Sequence, residues 1–340
     1  MNLVNIKNQV LQTQLIGKEE QEKRCDFNFL NTVASKMMNC HLAENRYESC
    51  FELLAKMRDE KAQEYVYWRD RIEDDIIRTN ALFNLCHFAR RFPDANIKRL
   101  EEVVVSSARI SCNDDGSPYQ PFPAYMFARD VKGANVKLLE DIIIKSNTNV
   151  IVYFAKDVEG ANIQRLQNRV IELGYPNMIL EFAEEVQGAN IKELEDAILK
   201  TKDYYSWIRF ARTVKGANKT RIEKKIAELN NPKYASFLLY HDLAVEYKQT
   251  LEDIVLNGSD AEACLNLAKK RNDEKFKALV CKIADIGNVE ICKRALNELE
   301  LNYILRDLLM FSIGANREIG INSSKESETN NLFFSFGRYA

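Results

Sequence analysis

Proline and glycine are scarce in this chain. Its 340 residues include 6 Pro and 12 Gly. Proline breaks helices, and glycine destabilises their interiors. So low a content favours an all-α protein whose few glycines stand at the corners between helices.

Recognisable catalytic and metal-binding motifs are also missing. The sequence has 3 His and shows no Ser-His-Asp order, Gly-rich phosphate loop or His-Glu-x-x-His motif. Cys86-His87, and Cys40-His41 with Cys50, carry zinc-type ligands, but their spacings match no known finger. We therefore expect no catalytic residues, no cofactor and no metal.

Long apolar runs and paired cysteines are absent as well. The first residues include no long apolar run, and no stretch approaches the roughly 18 apolar residues of a membrane span. Eight cysteines are scattered without a Cys-x-x-Cys pair, at positions 25, 40, 50, 86, 112, 264, 281 and 292. These features predict a cytoplasmic protein, without membrane contact, whose cysteines are reduced core thiols.

An excess of positive charge is lacking too. Lys and Arg total 48 against 50 Asp and Glu, which gives a net charge of −2. Proteins that bind nucleic acid or acidic membranes through general electrostatics are usually basic. Any such binding would need a local basic stripe, and we expect partner binding to depend only weakly on salt.

A nonapeptide that occurs five times dominates what the sequence does contain. Its conserved Phe residues stand 39, 27, 28 and 28 positions apart. A fixed period of this size is typical of a solenoid, in which each repeat buries its apolar face against its neighbours. The copies are Phe88–Asn96, Phe127–Asn135, Phe154–Asn162, Phe182–Asn190 and Phe210–Asn218.

Each repeat is predicted to hold two short helices. In the copy around Phe154, apolar residues at helical spacing end at Gly160, a residue suited to a left-handed helix C-terminus. Asn162 is placed to cap the next helix, whose apolar face is Ile163, Leu166 and Val170. The fold class predicted is therefore an all-α, right-handed α-solenoid of helix-turn-helix repeats. It is analogous to HEAT and tetratricopeptide arrays.

The decay of the pattern suggests three regions in one elongated body. Residues 1–60 are predicted to form an N-terminal helical cap and 61–310 the solenoid, with the clearest repeats at 81–230. Residues 311–340 are a polar and aromatic tail. Its aromatic end could dock on a partner or on the solenoid, or remain disordered.

An insertion at 110–123 lengthens the first period. It contains three Pro and one Gly, so an irregular loop is expected. Insertions in solenoids often form the binding face, and Tyr119 and Phe122 are candidate partner anchors there. The alternative is a tolerated surface loop whose aromatics pack on the next repeat. Asn113–Gly116 hints at a cation loop but lacks the later carboxylates.

Charged positions that vary between copies are the other candidates for partner binding. They lie near the end of each first helix, and the carboxylates elsewhere are interpreted as solvated helix exteriors. A ladder of ion pairs between neighbouring repeats is favoured over a code read by a ligand. The candidate basic residues are Arg129, Lys132, Arg212 and Lys215.

The repeat string resembles a known group of short tandem repeats. Phe-Ala-[Arg/Lys]-Asp-Val-x-Gly-Ala-Asn-[Val/Ile], followed by Leu-Glu-Asp-x-Ile, is similar to helical repeats of about 28 residues in uncharacterised proteins of low-GC bacteria and their phages. The resemblance covers 81–230 well and 231–300 weakly. Two copies depart from it, through Pro93-Asp94 and Thr213. It implies an α-solenoid and a mobile-element setting, and no activity.

Three functions remain open at this point. The favoured one is a non-enzymatic module that binds a protein or peptide along the solenoid, with a phage inhibitor or modulator of a host complex as a special case. The second is a nucleic-acid-binding repeat protein, and the third an enzyme on a helical scaffold. The second would require Arg129, Lys132, Arg212 and Lys215 to form one basic face with Arg90, Arg91 and Lys98.

Overall fold

The fold is all-α throughout the part of the chain that the structure describes. The computed structural model describes four stretches, residues 36–62, 64–110, 121–243 and 246–322. Every regular element in them is a helix, which confirms the predicted class. The sequence predicts one elongated body, whereas the contacts divide the chain into two compact units, 1–169 and 170–340.

The first unit contains eight helices and the start of a ninth. They are α1 (36–43), α2 (Tyr47–Asp59), α3 (Tyr65–Thr79), α4 (Leu82–Arg91), α5 (Ile97–Ile110), α6 (Phe122–Asp130), α7 (Val136–Ile143), α8 (Val150–Asp157) and α9 (Ile163–Leu173).

The second unit begins within α9, at Val170, and contains ten further helices. They are α10 (Pro176–Glu185), α11 (Ile191–Ile198), α12 (Tyr204–Thr213), α13 (Lys219–Glu228), α14 (Pro232–Tyr240), α15 (Lys248–Asn257), α16 (Ala261–Ala268), α17 (Glu274–Ile286), α18 (Val289–Glu298) and α19 (Tyr303–Asn322).

Within each unit the helices stack in two layers. We call the even-numbered helices from α2 onward A helices and the odd-numbered ones from α3 onward B helices. In the first unit α2, α4, α6 and α8 pack in succession. In the second unit α10 to α18 do the same, and each A helix also packs on a B helix beside it. This is the packing of helical repeats. The handedness of the stack and the domain boundaries stay predictions. Helix α19 runs across the boundary predicted at residue 310.

The conserved phenylalanines form the core of the A layer. Their side chains are fully buried, as the repeat pattern predicts, and Phe51 of α2 shares this position although it lies in the predicted cap. The Phe51 ring centroid lies 5.6 Å from that of Phe88. The buried set is Phe51, Phe88, Phe127, Phe154, Phe182 and Phe210.

The corner between the two helices of a repeat is a β-turn. Val158 is the C-cap residue directly after α8, and its carbonyl accepts the N–H of Ala161 at 3.2 Å. Gly160 is the third residue of this turn, with φ +83°. The expected positive φ is therefore confirmed, but the glycine belongs to a turn beyond the helix end rather than directly following it. A type II turn requires positive φ at that place.

The first corner uses different turn chemistry. Pro93 and Asp94 are its central residues, and the carbonyl of Phe92 accepts the N–H of Ala95 at 3.0 Å. Proline suits the second position of a turn that needs no positive φ. The Asp94 carboxylate also accepts the hydroxyl of Tyr65 at 2.9 Å. The departure from the repeat motif therefore preserves the corner.

Replacing Gly188 by valine is expected to destabilise the protein by about 1–3 kcal/mol, because valine is strained at positive φ. Gly188 has φ +83°, and an added Cβ would meet nothing within 4 Å, so the cost comes from the backbone alone. Gly314→Ala in α19 is the control and should be neutral or slightly stabilising. Chemical denaturation measures both; equal stability of Gly188→Val and the wild type would contradict this account.

Buried glutamates join successive B helices. The Glu140 carboxylate accepts the backbone N–H of Asn162, the residue that caps α9, at 2.7 Å. Glu195 accepts the N–H of Asn218 at 2.7 Å in the same way. The interpretation of carboxylates as solvated exteriors is wrong for these positions, since their side chains are almost fully buried. The set is Glu73, Glu101, Glu140, Glu195, Glu223 and Glu252.

An arginine completes several of these junctions. Arg221 lies 3.1 Å from Glu195 and 2.5 Å from the neighbouring Asp196. Arg165 contacts Glu140 and Asp141 at 3.2 and 2.6 Å in the first unit. A carboxylate at a helix N-terminus is also stabilised by the helix dipole. At these junctions a buried carboxylate therefore interacts with a backbone N–H, with the dipole of the following B helix and with an arginine guanidinium.

Candidate functional site

Three exposed aromatic rings, joined by the buried ring of Tyr125, form a line across three A helices of the first unit. Phe83 of α4 is 55% exposed, Phe122 of α6 is 41% exposed and Tyr153 of α8 is 36% exposed. The ring centroids of Phe83 and Phe122 lie 6.2 Å apart. Tyr125 lies 5.5 Å from Phe122 and 6.3 Å from Tyr153. We call these four residues the aromatic line.

Helical geometry explains why these rings face outward. Phe83 and Phe122 each stand five residues before a buried core phenylalanine, and Tyr153 stands one residue before Phe154. Positions five and one before a core residue are four apart, so they share one helix face. Phe83 reaches Phe122 directly, and Tyr125 of the same helix α6 makes the step from Phe122 to Tyr153.

Tyr125 is the ring of the line that polar contacts hold in place. Its hydroxyl donates to the Asp157 carboxylate at 2.6 Å and accepts from Arg129 at 2.9 Å. The Arg129 guanidinium lies 5.0 Å from the centre of the Tyr125 ring. Burial, followed by the hydrogen bond to Asp157, raises the pKa of Tyr125. The tyrosine is therefore a neutral, ordered element of this surface.

Arg129 is an exposed cation that is already paired. Its guanidinium lies 2.7 Å from the Asp130 carboxylate. This hydrogen bond is the main reason why the pKa of Asp130 is lowered. Arg91 on the preceding A helix is similarly paired with Glu48 at 3.0 Å. These two arginines beside the aromatic line are thus neutralised locally, which disfavours their use in a general phosphate-binding stripe.

The structure brings together some of the residues that the sequence singles out as partner-binding. Phe122 and Arg129 lie on α6, on either side of Tyr125, and Lys132 follows in the exposed corner. Arg212 and Lys215 are exposed in the second unit, at and just after the end of α12. Tyr119 and the Asn113–Gly116 segment lie outside the described residues.

The predicted insertion loop is shorter than expected at both ends. Ile110 is the last residue of α5, and Phe122 and Pro123 open α6. Proline was expected to exclude regular structure here, but the first turn of a helix tolerates proline because its N–H groups have no helical partner. Phe122 therefore sits on a helix rather than in a loop.

Ion pairs between neighbouring A helices occur at several carboxylates, and among those that the sequence singles out at A-helix ends the described one is Glu184. Glu184 of α10 pairs with Arg209 of α12 at 3.3 Å, and it also accepts the hydroxyl of Thr213. Asp130 instead pairs with Arg129 of its own helix. These contacts explain the charged positions at A-helix ends as packing between side chains.

A shallow cleft adjoins the aromatic line at Phe83. It has a volume of about 350 Å³ and is lined by residues 80–84 with Ser107 and Ala108. Asn80 is in the left-handed region at φ 52°, where it ends α3. Its side-chain oxygen accepts the hydroxyl of Ser107 at 2.9 Å. The cleft offers small polar groups that could accept a partner's side chain.

The zinc-type ligands have other contacts. Cys86 is buried and its thiol donates to the carbonyl of Pro123 at 3.4 Å, while His87 lies 3.2 Å from Glu48. Burial raises the pKa of Cys86 to about 12 and that of Cys50 to about 11. Among the described residues, no group of three or more metal-ligating side chains occurs. Cys40 and Cys281 are exposed, so the expectation of core thiols is wrong for these two.

Comparison with models of known protein families, with curated proteins and with solved structures finds no match. Within the described ranges, no helix is long and apolar enough to cross a membrane.

Sequence reasoning missed Phe83 and Tyr153 as surface residues. The repeat alignment emphasises positions that are the same in every copy, and these are the buried Phe and Ala of the core and the Asn that caps the next helix. Position five before the core Phe holds Phe, Phe, Asn, Asn and Tyr in the five copies. An aromatic at an outward position of an amphipathic helix was the available signal.

Proposed function

We propose that this chain is a non-enzymatic module that binds a protein or peptide through the aromatic line. The observation that carries the proposal is three exposed large rings on neighbouring helices, of which Phe83 and Phe122 touch directly and Tyr153 is joined to Phe122 through the buried ring of Tyr125. Aromatic side chains are enriched in protein interfaces and supply much of their binding energy. Contiguous exposed apolar surface of this kind marks interaction sites.

The clefts support a binding module over an enzyme. The largest described one, about 730 Å³ in the second unit, is lined by Arg221, Lys225 and Glu228 among others. Arg221 is paired with Asp196 and Lys225 with Glu228. Charged groups paired with each other are poor candidates for acid, base or nucleophile.

The resemblance to repeats of low-GC bacteria and their phages favours a partner in a host cell. An inhibitor or modulator of a host complex needs a specific surface and no chemistry of its own. Stacked repeats that carry an exposed aromatic surface meet that need.

Removing both Phe83 and Phe122 rings is expected to weaken partner binding at least tenfold, or about 1.4 kcal/mol. The partner is first identified by capture from the native host, and its affinity for purified Phe83→Ala/Phe122→Ala protein is then measured by calorimetry. Both rings are largely exposed, so the melting temperature should change little.

Tyr67→Ala is the matched control. Tyr67 is 56% exposed, but it lies on the B helix α3 of the same unit. The Tyr67→Ala variant should bind the partner with the same affinity as the wild type. Equal affinity of the double variant and the control would reject the aromatic line as the binding surface.

A further inference from the structure

The second unit carries a different aromatic surface, in which two lysines accompany the rings. Tyr205 of α12 lies 5.6 Å from Phe237 of α14, and Phe237 lies 4.6 Å from His241. Tyr240 adjoins His241 at 5.4 Å. Together with Lys233 and Lys270, we call these residues the cationic aromatic patch.

The two lysines lie against the rings. The Lys233 ammonium is 5.5 Å from the centre of the Tyr205 ring, and the Lys270 ammonium is 4.9 Å from that of Tyr240. A lysine held over a ring by cation–π attraction keeps its N–H donors available for an anion. Both residues are exposed.

Two neighbouring cations of this unit have close carboxylate partners, whereas the printed carboxylate contact of Lys270 is longer. Arg209 pairs with Glu184 at 3.3 Å, and Lys269 pairs with Glu298 at 2.5 Å. Lys270 has a contact of 4.0 Å with Asp242, whose side chain is 83% exposed. The pKa of Lys233 is raised, chiefly by a hydrogen bond with the Tyr205 hydroxyl, so this lysine is a stable cation beside the Tyr205 ring.

The pKa of His241 reflects its burial and the positive charge around the patch. Burial lowers the pKa of His241, and the nearby charges of Arg212 and Lys270 lower it further, against the opposing effect of Asp242. Two cations therefore outweigh one anion at this residue. Anionic groups of a ligand would be attracted to the patch, and the rings offer apolar area beside them.

We propose that the cationic aromatic patch binds an acidic peptide segment of a partner protein, in which Asp or Glu residues flank an aromatic or aliphatic side chain. The apolar side chain packs on Tyr205 and Phe237, and carboxylates pair with Lys233 and Lys270. This inference rests on the proposed protein-binding function and assigns a chemical class to the partner.

A peptide fits the patch better than a nucleic acid does. Single-stranded nucleic acid also stacks on aromatic rings, but it requires a groove of cations that follows its backbone. The patch offers two lysines, one of them beside Asp242, rather than a continuous track of cations. The whole chain is also slightly acidic.

The test selects binders to the full-length protein from a phage-displayed library of random dodecapeptides. Enriched peptides are expected to have net negative charge and at least one aromatic or large aliphatic residue. One enriched peptide is then synthesised with fluorescein, and its dissociation constant is measured by fluorescence anisotropy. Fluorescein-labelled oligo(dT) of twenty nucleotides is measured alongside.

Lys233→Glu/Lys270→Glu is expected to raise the dissociation constant of the peptide at least tenfold. Lys248→Glu/Lys277→Glu carries the same change of net charge on exposed positions of the B helices α15 and α17 and should leave it unchanged. Both double variants alter exposed side chains, so their circular dichroism should match the wild type. Tyr205→Ala, at a 43% exposed ring, should raise the constant at least threefold.

Four outcomes would overturn the proposal. They are failure to enrich any peptide, enrichment of basic or uncharged peptides, equal loss of binding in both double-lysine variants, and tighter binding of oligo(dT) than of the peptide. These outcomes can be told apart from a failure of the proposed role of the aromatic line. That role is tested with Phe83→Ala/Phe122→Ala on the native partner, and this variant leaves the second unit unchanged.

Discussion

Truncation of Phe154 to alanine will lower the free energy of unfolding by about 3–5 kcal/mol, the usual cost of removing a buried phenyl ring. Phe154 is fully buried in α8, which packs on α6 and α7. The ring occupies the interior of the A layer, where the short helices depend on stacking for stability. Urea or guanidinium denaturation of wild type and variant measures the loss.

The neighbouring residue supplies the control. Tyr153 stands next to Phe154 on the same helix, but it is 36% exposed. Tyr153→Ala should cost about 1.5 kcal/mol, less than Phe154→Ala, because 36% of the Tyr153 surface stays in water in the folded protein whereas none of the Phe154 surface does. If both variants lose the same stability, the division of α8 into a core face and an outer face is wrong.

Replacing Glu195 by leucine is expected to destabilise the protein by about 2–4 kcal/mol. The Glu195 carboxylate is 3% exposed and accepts from the backbone of Asn218 and from Arg221. Leucine would leave a partly buried N–H without its acceptor and Arg221 without its inner partner. Denaturation monitored by circular dichroism measures the change.

Asp196→Leu is the matched comparison, because Asp196 binds the same arginine from an exposed position. Its side chain is 42% exposed, and an exposed ion pair contributes about 0–1 kcal/mol. Combining each change with Arg221→Leu gives a double-mutant cycle that separates the arginine contact from the backbone contact. A loss at Glu195 no larger than at Asp196 would show that the junction does not join the repeats.

The local features of the repeat could be predicted from the sequence because they depend on residues close in the chain. The Asn162 side chain accepts the N–H of Arg165, three residues on, at 3.1 Å, as an N-cap does. Gly160 takes the positive φ that the corner requires. Phe154 is buried because its helix is amphipathic with the period of 3.6 residues.

The carboxylates show where such reasoning fails. Glu140 and Asp141 are adjacent in sequence, yet Glu140 is buried and Asp141 is half exposed. Helical periodicity places Glu140 beside apolar neighbours, but charge alone predicts a solvated side chain. Its acceptor role appears only once Asn162, 22 residues later, is stacked against it.

The candidate binding surfaces likewise combine local features that the sequence predicts with contacts between repeats that the sequence does not show. The sequence by itself determined an all-α chain of helical pairs, its core phenylalanines, its corners and its helix caps, because each depends on periodicity or on contacts within a few residues. Only the tertiary structure decided that Glu140 and Glu195 join repeats, and that Phe83, Phe122 and Tyr153 meet on one surface. Those contacts link residues that are more than twenty positions apart, and stacking of one repeat on the next brings them together.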